Sequence, residues 1–509
     1  MRYLVDAAKM KAIDEYTSNI IGVPSLVLME KAAMAIVEVM SSKITRNDRI
    51  LAVCGTGNNG GDGIAAIRML KELGYNADVL IIGDEKRATE QTKQQLLIAR
   101  NMDVKVYNNV KVSEYTIIID AIFGIGLSKP IVGAFEQVIE AINASDNKVF
   151  SVDIPSGIQA DNGKVMNVAV KADYTITFGI NKIGLVLYPG CEYAGETVVA
   201  DIGFPVKAIE YVKPSVFCYD KEDLNKLPLR KNYSNKGTFG KVLIIAGSRN
   251  MSGACYLSAK AACRAGAGLV KVLTVEDNRS IIQSLLPEAI LSTYDPGNLK
   301  NKLEVDRIIR ELTWATSIVV GPGIGISAAA DHLLEIVLNH ATAPIVIDAD
   351  AITMLTGKTQ YISKDNEKEC YCDIDLPKNV IITPHLKEMS RMLDCEVSDV
   401  QENLLTVAMN AVKGKRYVLA LKDARTVVTD GVRCYINTAG NNGMATAGAG
   451  DVLTGIIAAM LAQGMERFEA TALSVYVHGL AGDKASELKS VYSLIASDII
   501  EALPLVLHD

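Results

Sequence analysis

Short apolar runs alternate along this chain with stretches whose apolar positions recur every three to four residues, a pattern that predicts strands and helices in turn and hence parallel sheets with helical crossovers. In the first half, residues 50–54, 78–82, 116–120, 149–153 and 174–178 read as strands, and 64–73, 89–100 and 133–142 as helices. The second half repeats the pattern, with strands at 241–246, 269–275, 317–320, 344–348, 380–383 and 417–422 and helices at 252–263, 328–338, 387–393 and 452–461. Between them the alternation breaks at Pro205, Pro214 and Pro228 and at the polar run from Arg230 to Gly237. The seam falls near residue 215, within a dozen residues either way, which predicts α/β domains over 1–215 and 216–509.

A length of 509 residues agrees with two domains, since one hydrophobic core rarely serves more than about 250–300 residues. The hydrophobic share of 49%, the charged share of 22% and the net charge of −7 describe a globular chain. No basic stripe points to nucleic acid, and no apolar run approaches the roughly 20 residues that span a bilayer. The N-terminus reaches Asp6 before any signal-peptide core forms, so the expected location is the cytoplasm. The nine cysteines are scattered and read mainly as reduced thiols. Cys370 and Cys372, one residue apart with no second pair or nearby histidine, make a poor zinc pattern.

Two glycine-rich turns carry the candidate chemistry. Gly448-Ala449-Gly450-Asp451 leads into an apolar helix, whose free N–H groups and macrodipole attract phosphate. Asp451 is placed to take a proton from a hydroxyl meeting that phosphate; as a mere dipole complement it would contribute about 0.3–1 kcal/mol. The second turn, Gly55-Thr56-Gly57-Asn58-Asn59-Gly60-Gly61-Asp62-Gly63, follows the first predicted strand. It is neither GxGxxG nor a P-loop, yet two asparagines and an acid exceed what a tight turn needs. Asp120 and Asp153 end two further strands, where ligands of parallel sheets bind; taken singly, either reads equally as a cap. Together they suggest a dinucleotide-like ligand with carboxylates at its reactive end.

With Leu28-Met29-Glu30-Lys31-Ala32-Ala33, the turn GTGNNGGDG, the run from Asp120 to Leu127 and VDIPSG at 152–157, the first half resembles the NAD(P)H-hydrate epimerases. That resemblance implies a Rossmann-like parallel sheet with helices on both faces. It also implies phosphate contacts from Asn58, Asn59, Gly60, Gly61 and Asp62, and a potassium ion at Asn59, Asp120 and Ser156. Gly124, Ile125, Gly126, Leu127, Ser128, Lys129 and Pro130 would meet the hydrated nicotinamide nucleotide, with Asp153 as the acid/base. Thr56, Ile125 and Lys31 depart from the residues usual there, but none is an implied ion ligand.

In the second half, Gly321-Pro322-Gly323-Ile324-Gly325 follows a buried strand, and Asp348-Ala349-Asp350 offers two acids for magnesium. Thr383-Pro384-His385 ends a strand with one of five histidines, better placed for a ligand than most, and Lys422 brings positive charge. GPGIG, DADA, TPHxxE, KDARTVV and NxGMATAGAGD are similar to those of the ADP- or ATP-dependent NAD(P)H-hydrate dehydratases, a resemblance running from about Leu227 nearly to the C-terminus. It implies a ribokinase-like α/β sandwich. Gly325, His385 and Asp451 would meet the hydrated dinucleotide, and Lys422, Asp423, Ala424, Arg425, Thr426 and Gly450 the adenine nucleotide. Asn235 stands where the family commonly has histidine and receives no role.

The expectation is a bifunctional metabolite-repair enzyme, epimerising hydrated NADH or NADPH and dehydrating the S form with ADP or ATP and magnesium, and assembling as a homo-oligomer. Its rivals are a ribokinase-type small-molecule kinase with an N-terminal regulatory domain and a nucleotide sensor without turnover.

Overall fold

The computed structural model describes residues 1–356 and 376–507. The Cys370/Cys372 pair lies outside the described residues, among which no group of three or more His, Cys, Asp or Glu could hold a metal ion. Nor is any described helix long and apolar enough to cross a membrane. The chain divides into two compact units, Tyr3–Val216 and Phe217–Asp509, the latter including Met1–Arg2.

The first unit is a seven-stranded parallel sheet in the order Val106–Tyr107, Asn76–Ile81, Arg49–Cys54, Ile117–Ala121, Lys148–Val152, Tyr174–Phe178, Glu196–Ala200. Chain direction across the sheet reverses between Arg49–Cys54 and Ile117–Ala121, so the loops after these strands part there and leave a crevice. Both faces are covered because alternate strand residues point to opposite sides. Ile50, Ala52 and Cys54 join the core under helices Ser25–Ser41 and Asn58–Glu72, while Leu51, Val53 and Ile118 join the one under helix Ala134–Asn143.

The second unit repeats the arrangement with Ile290–Tyr294, Leu269–Val275, Lys241–Ile245, Ser317–Val320, Ile345–Ile347, Val380–Ile382 and Val418–Leu421 in parallel, followed by antiparallel Val427–Thr429 and Cys434–Ile436. Helix Ala449–Ala462 is apolar nearly all round because it is buried all round. It packs on helix Ser252–Arg264 so closely that a Cβ on Gly455 would lie 2.2 Å from the Ser258 carbonyl oxygen, which only glycine permits.

The boundary that moves furthest is a helix start; the helix expected at 452–461 also begins earlier, at Ala449. The segment from Asn58 to Gly63 is no turn ahead of a helix at 64–73; helix Asn58–Glu72 begins at Asn58. Glycines disfavour helix, but tertiary contact overrides propensity here, since a Cβ on Gly60 would sit 2.0 Å from the Gly55 carbonyl oxygen.

Two candidate active sites at the carboxyl ends of the sheets

In the first unit a cavity of about 760 Å³ opens at the crevice. Asn58, Asn59, Asp62, Asp153 and the loop residues Gly124, Ile125, Gly126, Leu127, Ser128 and Lys129 line it. Gly60 and Gly61 do not; they are buried against Gly55 and Met29 and set the helix start that presents Asn58 and Asn59. Pro130 is exposed and outside the lining.

Asp120 is fully buried, and its Oδ1 accepts the Ile122 backbone N–H at 3.4 Å. Its Oδ2 accepts hydrogen bonds from Ser151 Oγ at 2.8 Å and Ser156 N at 2.8 Å, and its Oδ1 accepts one from Ser156 Oγ at 2.5 Å. Burial raises its pKa, and these hydrogen bonds pull the other way. Ser156 Oγ also lies 3.3 Å from the Phe123 carbonyl oxygen. Asn59 packs beside Gly124, and its amide nitrogen is buried with no hydrogen-bond partner among the described residues. Amide nitrogen and oxygen are interchangeable assignments, so this buried position can equally hold an oxygen. A set of Asn59, Asp120 and Ser156 would then offer oxygens alone, the donors that a hard cation takes.

Asp153 has φ of +65°, a left-handed conformation that Asp tolerates better than most residues and that clusters at functional sites. Its Oδ1 accepts Lys182 Nζ at 2.5 Å and Thr177 Oγ1 at 3.2 Å. Lys182 also donates to Thr177 Oγ1 at 2.8 Å and to the Phe178 carbonyl at 3.0 Å, and it lines the cavity. Its side chain is 1% exposed, so Asp153 is anchored by a buried ammonium and is no cap. Asp62 and Asp14 complete an acidic wall. The pKa of Asp62 is pushed well up by burial and by Asp153 and Asp14; that of Asp14 is raised by burial and by Glu15.

Lys182 and Asp14 escaped the sequence reading. Asp14 sits in an ordinary helical pattern and carried no signal. Lys182 carried none either: it stands four residues beyond strand Tyr174–Phe178, and its partner Asp153 is far off in sequence.

In the second unit Asp451 is the third residue of helix Ala449–Ala462, which Gly448 opens with φ of +89°. Its pKa is pushed up to about 7, first by burial, then by Asp348, against the pull of Lys422 and with a further push from Asp350. Lys422 Nζ lies 2.7 Å from Asp348 Oδ1, and a Cβ on Gly450 would be 3.3 Å from that same nitrogen. The ammonium therefore stands over the helix N-terminus. Burial pulls the Lys422 pKa down, but Asp348 and Glu388 outweigh it and the net shift is upward. Asp350 Oδ2 accepts the Gly325 backbone N–H at 2.9 Å, which ties the GPGIG turn to the acids. Ala349, between the two acids, has φ of +51°.

His385 caps helix Leu386–Leu393. Its Nδ1 accepts the Lys387 and Glu388 N–H groups at 3.1 and 3.2 Å, which leaves Nε2 protonated on the neutral ring, 3.3 Å from Glu388 Oε1. Its imidazole is half exposed, and burial followed by Lys422 lowers its pKa. Beyond Lys422, Thr426 Oγ1 donates to the Asp423 carbonyl at 3.1 Å and Arg425 Nη1 to the Thr438 carbonyl at 3.1 Å; Ala424 is exposed. The segment from Lys422 to Thr426 is thus a braced turn beside Gly450. Two groups were missed by sequence reasoning. Glu388 is buried, with its pKa raised to about 7 chiefly by burial. His478 reaches the Ala449 backbone, and burial lowers its pKa to about 4.

Residues 242–505 match the family described as NAD(P)H-hydrate dehydratase, and residues 25–184 the one described as YjeF-related protein N-terminus. The chain is 34% identical over 520 residues to the bifunctional NAD(P)H-hydrate repair enzyme Nnr of Thermofilum pendens, covering 98% of this chain and 95% of the relative. It is 33% identical over 530 residues to the protein of that name in Moorella thermoacetica, covering 100% and 97%. Among solved structures, a ribokinase-like superfamily protein of Enterococcus faecalis superposes with a TM-score of 0.50 at 30% identity, over 58% of this chain and 95% of the other. The ADP/ATP-dependent NAD(P)H-hydrate dehydratase of Bacillus subtilis, co-crystallized with ATP/Mg2+, gives a TM-score of 0.48 at 28% identity over 57% and 96%. With relatives above 30% identity along essentially its whole length, and two turns of this geometry at two sheet ends, the chain belongs to the bifunctional NAD(P)H-hydrate repair family.

Proposed function

We propose that each unit carries one of the family's two reactions, with residues 1–215 epimerising hydrated NADH or NADPH and residues 216–509 dehydrating the S epimer with ADP or ATP. The observation that carries this reading is the placement of Asp451, a partly buried carboxylate on the first turn of a helix, between a lysine and two further acids.

A base with pKa near 7 accepts a proton at neutral pH without being too weak to hold it. Asp451 takes the proton of the ring hydroxyl as that oxygen forms a bond to the terminal phosphorus of the nucleotide and the phosphoanhydride bond breaks. Lys422 and the N–H groups around Gly450 hold the charge that gathers on the transferred oxygens. Loss of phosphate from the ring carbon, with a proton from its neighbour, restores the double bond. Gly325 and His385 border the dinucleotide, and the braced turn from Lys422 to Thr426 borders the adenine nucleotide. Asp348 and Asp350 each offer an oxygen to a magnesium ion carried by phosphates, an ion that needs only one or two carboxylates; bound there, it would neutralise phosphate charge.

In the first unit Asp153 moves the proton at the hydroxyl-bearing ring carbon, while Lys182 keeps that carboxylate oriented. Asn58, Asn59 and Asp62 border the phosphates and the nicotinamide. Asn59, Asp120 and Ser156, with the Phe123 carbonyl, would hold potassium, which would supply positive charge beneath the ligand.

The test is incubation of the purified chain with a mixed-epimer preparation of hydrated NADH and either ADP or ATP, following nicotinamide absorbance and inorganic phosphate. Recovery of both epimers with one phosphate per NADH is expected. A stable phosphorylated product would mark a kinase instead, and binding without turnover a sensor.

A further inference from the structure

Residues 437–448 join strand Cys434–Ile436 to helix Ala449–Ala462 and so carry the chain from the sheet into the GAGD turn. The segment lies against helix Arg467–Lys489, which bears none of the residues assigned above to the chemistry. Two glycines of that helix make room for it. A Cβ on Gly479 would sit 2.8 Å from the Ala439 carbonyl oxygen, and one on Gly482 would sit 2.1 Å from Met444 Sδ. Such packing limits how near the segment can come, but it is non-directional and does not fix where along the helix the segment rests.

Asp483 supplies the direction. It stands four residues beyond Gly479 and hence on the same helix face. Its Oδ2 accepts the Gly440 N–H at 2.9 Å and its Oδ1 the Asn441 amide at 2.9 Å. That amide also reaches Ser486 Oγ at 3.2 Å, and Asn441 Oδ1 accepts the Gly443 N–H at 3.0 Å, which opens the short helical turn Asn442–Met444. Among the described residues no lysine or arginine pairs with Asp483, so both of its oxygens are committed to the segment. The ends of the segment meet the two elements assigned to the nucleotide. The Thr438 carbonyl accepts Arg425 Nη1, from the turn at 422–426, at 3.1 Å, and Gly448 opens the helix whose first turn holds Gly450. Asp451 is seated separately, by its helix and the contact of Gly455 with Ser258.

We infer that Asp483 is a positioning residue for the adenine nucleotide: by holding Gly440 and Asn441 it sets the segment that joins the turn at 422–426 to the helix end at Gly450, and so fixes the spacing on which nucleotide affinity depends. The inference rests on the nucleotide placement proposed above and adds the group that maintains it.

The test measures kcat, KM for ADP and ATP, and KM for the S epimer of hydrated NADH in the full chain and in Asp483→Asn, Asn441→Asp, the two combined, and Ser486→Ala. Calorimetric binding of ADP runs alongside, with thermal melts to check folding. Asp483→Asn sets two amides face to face, and Asn441→Asp two carboxyls. Each should raise the nucleotide KM about tenfold, the order that one lost hydrogen bond supplies, while kcat and the hydrated-dinucleotide KM stay within about threefold of native. The combined variant exchanges donor and acceptor and still turns oxygens toward the Gly440 and Gly443 N–H groups, so its nucleotide KM should return to within about threefold of native. Ser486→Ala removes only the 3.2 Å contact and leaves the carboxyl in place, so it should fold even where the other single variants do not, with a nucleotide KM raised about twofold. An unchanged nucleotide KM in folded Asp483→Asn, or in Ser486→Ala where Asp483→Asn does not fold, would overturn the inference. So would the two KM values rising together, or a combined variant no better than the single ones, since either marks Asp483 as a support of the fold alone. If the native chain binds ADP without turnover, the dehydratase reading fails and calorimetry decides: weaker ADP binding in Asp483→Asn supports the positioning role, and equal binding removes it. A native chain that binds neither ADP nor ATP removes both.

Discussion

Lys182 Nζ and Asp153 Oδ1 are 2.5 Å apart, with the lysine side chain almost wholly removed from solvent. A buried ammonium with a single carboxylate partner holds that carboxylate aimed, at the end of a strand where the backbone itself is left-handed. Lys182→Gln keeps a donor but loses the charge. Consumption of the R epimer should fall by about 100-fold, the range of a positioned proton-transfer group, while dehydration of pure S epimer continues. Thermal melts should accompany the assay, since breaking a buried pair costs about 3–5 kcal/mol. R-epimer turnover at the native rate in a folded variant would remove both residues from the chemistry.

As the proposed base, Asp451 should make the dehydration rate depend on pH. With a pKa raised to about 7 it would be the protonated, inactive acid below that pH and the carboxylate above it. The kcat/KM for S-epimer dehydration should therefore climb through about pH 7 and level off. Asp348 is the largest neighbouring charge raising this pKa, so Asp348→Asn should displace the climb to lower pH even where it lowers the plateau. Asp451→Asn should cost about 10²–10⁴-fold in rate with nucleotide binding retained. An unshifted profile in Asp348→Asn would mean another group sets the limb.

Much of this architecture could be read from the chain because parallel strands buried on both faces are continuous apolar runs. The strands Leu269–Val275, Ser317–Val320 and Tyr174–Phe178 were legible to the residue. The edge strands Val106–Tyr107 and Glu196–Ala200 were not, since an edge is half solvated and loses the run. Asp451 announced itself through adjacent glycines, for the helix start it needs is local. Lys182 did not, because its meaning lies in Asp153, 29 residues away, which no local pattern ties to it. The same holds for Glu388, whose sequence signature is an ordinary capping box with His385 and whose burial near Lys422 appears only when two strand ends meet.

Glu388 gives the stability of the second unit a pH dependence of its own. Its folded pKa of about 7 lies above the ordinary glutamate value. Between those limits the folded state keeps a proton that the unfolded chain has released, so stability declines as pH rises from about 4.5 to 7 and is flat beyond. Glu388→Gln retains an acceptor for the His385 N–H and removes the charge. At pH 8 the variant should unfold at higher denaturant than the native chain, by on the order of 2 kcal/mol, and at pH 4.5 the two should nearly coincide. A variant less stable at pH 8 would mean that the pairing with Lys422 outweighs burial.

The contact of Gly455 with the Ser258 carbonyl sets where the helix bearing Asp451 can lie. Gly455→Ala would bring a methyl to 2.2 Å from that oxygen, and neither partner is a side chain that can swing aside. One of the two helices must move, at a cost of about 1–3 kcal/mol, and the N-terminal end of helix Ala449–Ala462 is the one proposed to hold phosphate. Both stability and nucleotide affinity should fall, the latter read as a KM for ADP or ATP raised severalfold with substrate saturating. Gly253→Ala is the control, for it lies in the partner helix with nothing within 4 Å of its added carbon and no left-handed backbone. There alanine's better helix propensity should leave the protein unchanged or up to about 1 kcal/mol more stable. Denaturant midpoints should therefore fall for Gly455→Ala and hold or rise for Gly253→Ala, and Gly455→Ala at the native midpoint would show the helix pair to be looser than its packing implies.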